Sequence, residues 1–251
     1  MVLTSKNNPL IKETAGLKDK KGRKQTGLFL VEGVKMAKEC AKSGFCIERV
    51  FVVEGQTLPS ELSAYADKTV FVSQDVLRFL SDEKTPQGVL CRVQIPQRPL
   101  EAPTGACLFL DGVSDPGNVG AIVRSANAAG YNEIYLSRDC ADPYSPKSVR
   151  ASMSGLFFTK LYEAERAEIL SLLREMPLIV ADMCGENAFA FKAPKKFALV
   201  IGNEANGVCK EVASQAAYTV KIPMRATQES LNASVSAGIL MYVLKREEFT
   251  R

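Results

Sequence analysis

Short apolar runs alternate with amphipathic segments along most of the chain. In its second half, helical spacing after Asp115 predicts a helix with one buried face, formed by Val119, Ile122, Val123, Ala126 and Ala129. Apolar runs predict strands at Cys107–Leu110, Glu133–Leu136, Phe157–Leu161, Leu178–Asp182, Phe197–Ile201 and Tyr218–Ile222. Strands that alternate with helices in this way predict a parallel sheet with helices on both faces.

The first third of the chain repeats the alternation on a smaller scale. Helical spacing covers Asn7 to Lys20, and a basic loop is predicted at Lys20 to Lys24. Strands are predicted at Leu28–Val31, Ile47–Val53, Thr69–Val72 and Gly88–Val93. The segment 94–105 holds three prolines and little apolar periodicity, which is typical of a linker. We therefore predict the α/β fold class, with a small α/β domain at 1–93, a linker at 94–105 and a larger α/β domain at 106–251.

Three predicted strand ends carry polar loops rich in turn-forming residues. The segments are LDGVSDPGNVGAIVRSANAAG from Leu110, LVIGNEANGV from Leu199 and KIPMRATQESLN from Lys221. In open α/β sheets, ligands gather at the carboxyl ends of the strands, so these loops predict one shared site. In the first segment the buried face of the helix directs Arg124 elsewhere, which leaves its guanidinium available to a ligand.

Composition removes several classes of chemistry. The 251 residues contain no histidine, which excludes Ser-His-Asp and Cys-His catalysis, HExxH metal sites and a histidine general base. Seven cysteines without a C-x-x-C pair argue against a disulfide framework and a zinc cluster, so no metal is expected. No stretch is long and apolar enough for a membrane span or a signal peptide, and a soluble cytoplasmic protein is expected.

Positive charge is concentrated near the start of the chain. The net charge is +4, yet residues 1–43 hold ten Lys and Arg against four acidic residues and so carry +6. This excess is compatible with a solvated lysine-rich helix, but beside the loops described above it favours a polyanionic partner.

The three loop segments resemble the three motifs of the SpoU/TrmH branch of the SPOUT RNA 2′-O-ribose methyltransferases. DPGNVGAIVRSANAAG, IGNEANGV and IPMRATQESLNASVSAG agree with that family in order and spacing, except that Ala205 stands where the family usually has glycine. The amino-terminal part, through SKNNPLIKETAGLKDKKGR and LFLVEGVKMAKEC, is similar to the substrate-binding domain that often precedes the catalytic domain. The resemblance implies S-adenosylmethionine as the cofactor, a deep trefoil knot in the catalytic domain, and a homodimer formed with the last helix, Glu229 to Glu247.

Site residues follow from the matching motif positions. The resemblance implies catalytic roles for Arg124, Asn118, Glu204, Ser230 and Asn232. It implies cofactor contacts for Gly202, Ile222, Met224 and Leu231, and RNA-proximal positions for Arg23, Lys24 and Glu32. A guanidinium remains protonated, so Arg124 is expected to bind phosphate and stabilise a developing alkoxide rather than to act as a base.

Other interpretations stay open at this point. Arg124 could form a salt bridge with Glu204, and Ser230 and Asn232 could cap the last helix. That helix could also pack only within its own subunit. The favoured function is 2′-O-methylation of structured RNA, with large-subunit ribosomal RNA preferred to transfer RNA. A non-catalytic RNA-binding or ribosome-associated factor that retains the fold is the alternative, and a nucleotide-binding oxidoreductase is disfavoured because no GxGxxG is present.

Overall fold

The computed structural model describes residues 2–249, which form two compact units. The first unit comprises the residues up to Gln97 together with Asp142–Phe157. The second comprises Arg98–Ala141 together with the residues from Phe158 onward. This grouping rests on contacts within each unit, and the domain limits at 93 and 106 stay a prediction. No helix within 2–249 has the length and apolar character needed to cross a membrane.

The first unit is built on a five-stranded mixed sheet in the order β1-β4-β3-β5-β2. The strands are β1 Val2–Leu3, β2 Leu28–Glu32, β3 Ile47–Val53, β4 Thr69–Val72 and β5 Val89–Gln94. Strand β4 runs parallel to β1 and β3, whereas β5 is antiparallel to β2 and β3. The helices are α1 Pro9–Gly16, α2 Lys20–Thr26, α3 Val34–Lys42, a 3-10 helix Ser60–Lys68, α4 Gln74–Leu80, α6 Pro146–Ser152 and α7 Gly155–Phe158, of which α7 ends one residue beyond the unit. The four strands predicted here from apolar runs are confirmed.

The predicted basic loop at Lys20 to Lys24 is wrong, because these residues lie in helix α2. Helix α1 ends at Gly16, and α2 is ended by Gly27 with φ +68°, a left-handed conformation that favours glycine. A Cβ at Gly22 would overlap the backbone of Gly16, so the two short helices approach each other too closely for any side chain there. The charge of Lys20 to Lys24 indicated a loop. The close packing of Gly22 against Gly16 instead allows these residues to form a short helix next to α1.

The second unit contains a six-stranded sheet in the order β11-β9-β10-β6-β7-β8, with every strand pair parallel. The strands are β6 Cys107–Asp111, β7 Glu133–Ser137, β8 Lys160–Ala164, β9 Leu178–Asn187, β10 Ala198–Gly202 and β11 Ala216–Lys221. The helices are α5 Pro116–Ala128, α8 Arg166–Leu173, α9 Lys210–Ala213, α10 Ala233–Leu244 and α11 Arg246–Phe249. The predicted parallel sheet is confirmed, and the trefoil knot stays a prediction.

Several element limits differ from the sequence-based expectation. Strand β9 runs to Asn187 rather than Asp182, and β11 spans Ala216–Lys221. The apolar run expected to form a strand at Phe157–Leu161 begins within helix α7, and the strand itself starts at Lys160. A short apolar run suits a buried helix as well as a strand, and Leu156 and Phe157 are buried in the helix. The last long helix begins at Ala233 rather than near Glu229, because the side chain of Asn232 caps it.

Helix α5 buries the predicted face against the core of the second unit. Its apolar positions Val119, Ile122, Val123 and Ala126, and Ala129 just after it, are fully buried, whereas Arg124 is exposed. A separate core cluster joins Phe109 and Val200 of the sheet to Ile169 of α8 and contains none of these α5 residues. Helix α10 packs against α5, and Gly238 of α10 faces Ser125. These contacts fix the start of α5 beside the carboxyl end of β6.

Candidate functional site

The loop after β6 is shaped by a glycine, an aspartate cap and a proline. Gly112 has φ +73°, and a Cβ at this position would lie 3.1 Å from Oδ2 of Asp139. Asp115 caps helix α5 by accepting a hydrogen bond from the backbone N–H of Asn118 at 3.0 Å, and Pro116 occupies the first helical turn. The loop therefore turns sharply from strand to helix and presents its backbone N–H groups toward the neighbouring strand end.

Glu204, after strand β10, holds that loop with four hydrogen bonds. Its Oε2 accepts from the backbone N–H of Ser114 at 3.0 Å and from the Ser114 hydroxyl at 2.8 Å. Its Oε1 accepts from the backbone N–H of Asp115 at 3.1 Å and from Nδ2 of Asn118 at 2.8 Å. Partial burial acts to raise the pKa of Glu204, but the hydrogen bonds from Asn118 and Ser114 outweigh it and lower the pKa to about 2. The carboxylate is thus an ionised clamp for the start of α5.

The side chain of Asn203 stabilises the loop that carries Glu204 through three hydrogen bonds. Its Nδ2 donates to the carbonyl of Gly112 at 2.8 Å, and its Oδ1 accepts from the N–H groups of Ala205 and Asn206. The backbones of Asn203 and Gly207 pair with each other, which closes the loop. Ala205 does not adopt a positive φ, so the replacement of the usual family glycine requires no backbone strain here.

The third loop joins the same network through Asn232. Its Nδ2 donates to Oδ1 of Asn118 at 3.0 Å, and its Oδ1 caps α10 by accepting from the N–H groups of Ser234 and Val235. Asn232 therefore has a capping role and a contact to the first loop at the same time. Ser230 does not cap the helix, and its carbonyl accepts from Nε2 of Gln228 at 2.6 Å. Residues from three loops, Glu204, Asn118 and Asn232, form one continuous hydrogen-bonded chain.

A pocket of about 380 Å³ opens beside the hydrogen-bonded residues Glu204 and Asn232. The four residues predicted to contact a cofactor all line it, namely Gly202, Ile222, Met224 and Leu231. Three of the predicted catalytic residues also line it, namely Glu204, Ser230 and Asn232. Its buried apolar wall comes from Ile201, Val220 and Leu240. A Cβ at Gly202 would overlap the backbone of Gly207, so the pocket floor is formed by closely packed main chain.

An irregularity in strand β9 supplies pocket residues that the sequence pattern did not indicate. Strand β11 pairs with Val180 and then with Glu186, so the intervening residues bulge out of the ladder. Ala181, Asp182 and Met183 of this bulge line the pocket. A Cβ at Gly185 would overlap the backbone of β11. The end of the bulge is therefore packed directly against that strand. The available sequence signal was a glycine three residues after the end of the apolar run.

Arg124 stands apart from the pocket within a single chain. It is exposed and is absent from the residues that line the pocket. Nine residues beyond Asp115, it lies about 13 Å along α5 from the capped end, at the helical rise of 1.5 Å per residue. No hydrogen bond or ion pair of Arg124 is present within 2–249, and Glu204 contacts the first loop instead of this guanidinium. The salt bridge considered from sequence is therefore not formed.

The buried carboxylate of Asp111, the last residue of strand β6, forms an ion pair with Arg166. Asp111 is only 1% exposed, and its two oxygens accept from Nε of Arg166 at 2.5 Å and from the N–H of Cys209 at 2.7 Å. Arg166 also donates to Asp139 at 2.6 Å. Burial acts to raise the pKa of Asp139, but hydrogen bonds from Ser137 and Arg166 lower it overall. Sequence analysis missed this network, because its members are far apart along the chain.

The residues predicted to lie near RNA differ in their environments. Arg23 is 3% exposed, and its guanidinium pairs with Asp142 at 2.7 Å and donates to the carbonyls of Leu17 and Lys18. Glu32 accepts from the hydroxyl of Ser81 and the N–H of Asp82. Both side chains therefore have internal structural partners.

Lys24, in contrast, is exposed in α2, as are Lys20 and Lys21 of the same helix. None of the three has an ion pair within residues 2–249. Within the same span, no group of three or more His, Cys, Asp or Glu side chains is arranged to hold a metal ion.

Comparison with known families gives two matches that together cover most of the chain. The profile of the SpoU rRNA Methylase family matches residues 105–242. The profile of an MRM3-like substrate binding domain matches residues 8–91.

Full-length relatives and solved structures agree with these matches. The Bacillus subtilis 23S rRNA (guanosine(2553)-2'-O)-methyltransferase RlmP is 28% identical over 97% of this chain and 98% of that protein. A 23S rRNA (uridine(2479)-2'-O)-methyltransferase of Streptomyces viridochromogenes is 30% identical over 99% of this chain and 93% of that protein. The crystal structure of an AdoMet-bound rRNA methyltransferase from Sinorhizobium meliloti has a TM-score of 0.89 at 26% identity and covers 98% of both chains.

Proposed function

This chain belongs to the SpoU rRNA Methylase family of RNA 2′-O-methyltransferases, and we propose that it transfers a methyl group from S-adenosylmethionine to a ribose 2′-hydroxyl of large-subunit ribosomal RNA. The observation that carries the proposal is the convergence of three distant loops through Glu204, Asn118 and Asn232 at the mouth of one pocket. A non-catalytic RNA-binding factor would have no need for a preformed small-molecule pocket at this point.

The pocket fits a ligand of the size and polarity of S-adenosylmethionine. Its volume of about 380 Å³ is within the usual range for small-molecule sites, ~300–1,000 Å³. Gly202 brings the main chain to the floor, and apolar residues such as Val220 and Leu240 suit an adenine ring. The bound cofactor would supply an electrophilic methyl group on a sulfonium. Gly202, Ile222, Met224 and Leu231 would hold it, partly through backbone groups.

The chain's own residues would position the ribose and stabilise charge. A 2′-hydroxyl is a poor nucleophile, so its oxygen must be aligned with the methyl group while its proton leaves. Arg124 has no internal partner within 2–249, and we assign it to an RNA phosphate and to the alkoxide that develops. Glu204 and Asn118 hold the loop that begins α5 and so set the position of that helix. Since the chain has no histidine, water or a phosphate oxygen would accept the proton.

A second copy of the chain would account for the distance between Arg124 and the pocket. Helix α10 exposes Val235 and Tyr242, which are 49% and 44% accessible. A homodimer that uses this helix would cover these side chains and could bring Arg124 of one subunit toward the pocket of the other. We therefore retain the homodimer as part of the proposal.

RNA recognition is assigned to the first unit. Lys20, Lys21 and Lys24 form an exposed basic surface on α2, which suits electrostatic contact with phosphates. The full-length relatives described above act on 23S rRNA by name, which favours large-subunit ribosomal RNA over transfer RNA for this chain. Such a substrate is consistent with the expected cytoplasmic location.

Two measurements test this proposal together. Calorimetry should detect binding of S-adenosylmethionine to the purified protein, and ribose-methylation mapping should show one large-subunit site that is lost in cells without the protein. Binding without loss of any rRNA site, but with loss of a tRNA site, would redirect the substrate assignment. Absence of cofactor binding would favour the non-catalytic RNA-binding factor.

A further inference from the structure

Asp182 is the free carboxylate among the residues that line the pocket. Three charged residues line it, namely Asp182, Glu204 and Lys221. The oxygens of Glu204 are already occupied by four hydrogen bonds from the first loop. Asp182 accepts only from the N–H of Cys184, at 2.8 Å through Oδ1, and has no ion pair within 2–249. Its remaining lone pairs therefore face a pocket in which the other carboxylate is saturated.

The order of the strands places Asp182 in the middle of the pocket lining. Strand β9 lies between β10 and β11 in the sheet. Glu204 and the contacts to Asn118 lie on the β10 side. The buried apolar wall comes from both neighbouring strands, through Ile201 of β10 and Val220 of β11. The bulge at residues 181–185 thus lies between the two strands that supply this wall.

S-adenosylmethionine carries its ribose as the middle group. Its reactive sulfonium must lie near the polar loops where the RNA ribose is aligned, and its adenine suits the apolar wall. The cofactor ribose connects the two and would therefore lie over β9. Carboxylates commonly accept hydrogen bonds from a ribose diol, and the pocket offers one at this point.

We propose that Asp182 recognises the 2′- and 3′-hydroxyls of the cofactor ribose and so contributes to selection of an adenosyl ligand. This inference rests on the proposed function, because it assumes that the pocket holds S-adenosylmethionine. The bulge has a clear use in this arrangement, since a regular strand would keep residues 181–185 in the ladder with β11 and away from the pocket.

The test uses Asp182→Asn, which keeps the size of the side chain and one acceptor oxygen. Glu186→Gln is the matched control, because Glu186 is an exposed acid on the same strand and does not line the pocket. Calorimetry measures the affinity of the full-length protein for S-adenosylhomocysteine, its 2′-deoxy and 3′-deoxy analogues, and 5′-methylthioadenosine. Thermal unfolding of both variants shows that the fold is kept.

Wild type and Glu186→Gln should bind the deoxy analogues about tenfold more weakly than S-adenosylhomocysteine, the lower range for a hydrogen bond to a charged group. Asp182→Asn should bind S-adenosylhomocysteine and 5′-methylthioadenosine about tenfold more weakly than wild type does, and it should discriminate against at least one of the two deoxy analogues less strongly than wild type does. The wild-type comparison among analogues stands even where the variant fails to fold.

Three results would overturn the inference. Asp182→Asn could retain wild-type affinity, or it could discriminate against both deoxy analogues as strongly as wild type does. It could also weaken S-adenosylhomocysteine but not 5′-methylthioadenosine, which would place the carboxylate at the amino-acid end of the ligand. If wild type binds none of these adenosyl ligands, the proposed function itself fails; binding that is independent of Asp182 removes only this assignment.

Discussion

The Glu204 clamp gives the most specific prediction about how the site is held together. Glu204→Gln keeps the shape of the side chain but replaces one acceptor oxygen with an NH₂ donor. Each oxygen of Glu204 accepts two hydrogen bonds, so whichever side receives the NH₂ faces the backbone N–H of either Ser114 or Asp115. At least one N–H then meets a donor instead of an acceptor.

The expected cost follows from the strength of hydrogen bonds to a charged group, about 1.5–3 kcal/mol each. The side chain of Glu204 is more than a third exposed, so solvent screening reduces the effect, and we expect about 1–2 kcal/mol. Because about 1.4 kcal/mol corresponds to a factor of ten, the Ser114 or Asp115 amide should exchange hydrogen about 5–30 times faster in the variant.

The pH dependence has a defined sign. The pKa of Glu204 is lowered from 4.5 to about 2, so its stabilising effect is fully present above pH 4.5. It is lost as the pH falls toward 2, when the folded-state carboxylate is protonated. The difference in exchange between wild type and Glu204→Gln should therefore be constant near neutral pH and should shrink below pH 4.5.

Hydrogen exchange measured by NMR at Ser114 and Asp115 tests this reasoning directly. Glu211→Gln is the matched control, because Glu211 is an exposed acid on α9 that makes no contact with the first loop. Equal exchange rates in wild type and Glu204→Gln would contradict the claim that the ionised carboxylate of Glu204 stabilises this loop. A difference that persists unchanged at pH 2 would contradict it as well.

Three further predictions concern the guanidinium, the basic helix and the buried ion pair. Arg124→Ala should reduce methyl transfer more than a hundredfold and leave the affinity for S-adenosylmethionine within about twofold, because the guanidinium acts on the transition state. Replacing Lys20, Lys21 and Lys24 with Gln should weaken RNA binding and lower the salt slope by about one for each of these lysines that binds a phosphate. Arg166→Gln should lower the free energy of unfolding by about 2 kcal/mol, measured by denaturant titration, since it leaves the carboxylate of Asp111 buried and unpaired.

Each of these predictions has its own control. Arg174→Ala, at an exposed arginine just after α8, should keep full methyl transfer; loss of activity there as well, or none in Arg124→Ala, would remove the special role of Arg124. A triple lysine variant with an unchanged salt slope would exclude α2 from the RNA surface. Asp111→Asn combined with Arg166→Gln should recover part of the lost stability, and strictly additive losses would contradict the pairing.

Sequence reasoning predicted that the three loops converge because parallel strands end at one edge of a sheet. Periodicity alone placed the buried face of α5, and the three polar loops after β6, β10 and β11 indicated a shared site before any coordinates. The pocket then brought together Gly202, Ile222 and Leu231 from two of those loops. Local pattern and family resemblance agreed here, since each motif is a short segment with its own turn chemistry.

The parts that the sequence did not predict depend on contacts between distant segments. Arg166 reaches Asp111 across 55 positions, and neither residue has a local pattern that marks it as a partner. The β9 bulge arises from its pairing with β11, so Asp182 could be read only as the end of an apolar run. The family resemblance made Arg23 a candidate RNA-proximal residue, yet its guanidinium is buried against Asp142. Burial and strand pairing are tertiary properties, and a charge run or an apolar run does not specify them.

Transfer of a labelled methyl group to RNA is the most direct test of the central claim. The purified protein would be incubated with methyl-labelled S-adenosylmethionine and unmodified large-subunit ribosomal RNA, and the labelled nucleotide would be identified after nuclease digestion. The proposed function predicts label at one ribose 2′-oxygen, with none in the Arg124→Ala variant. Label on a base, or no transfer to ribosomal RNA by a protein that binds the cofactor, would contradict it.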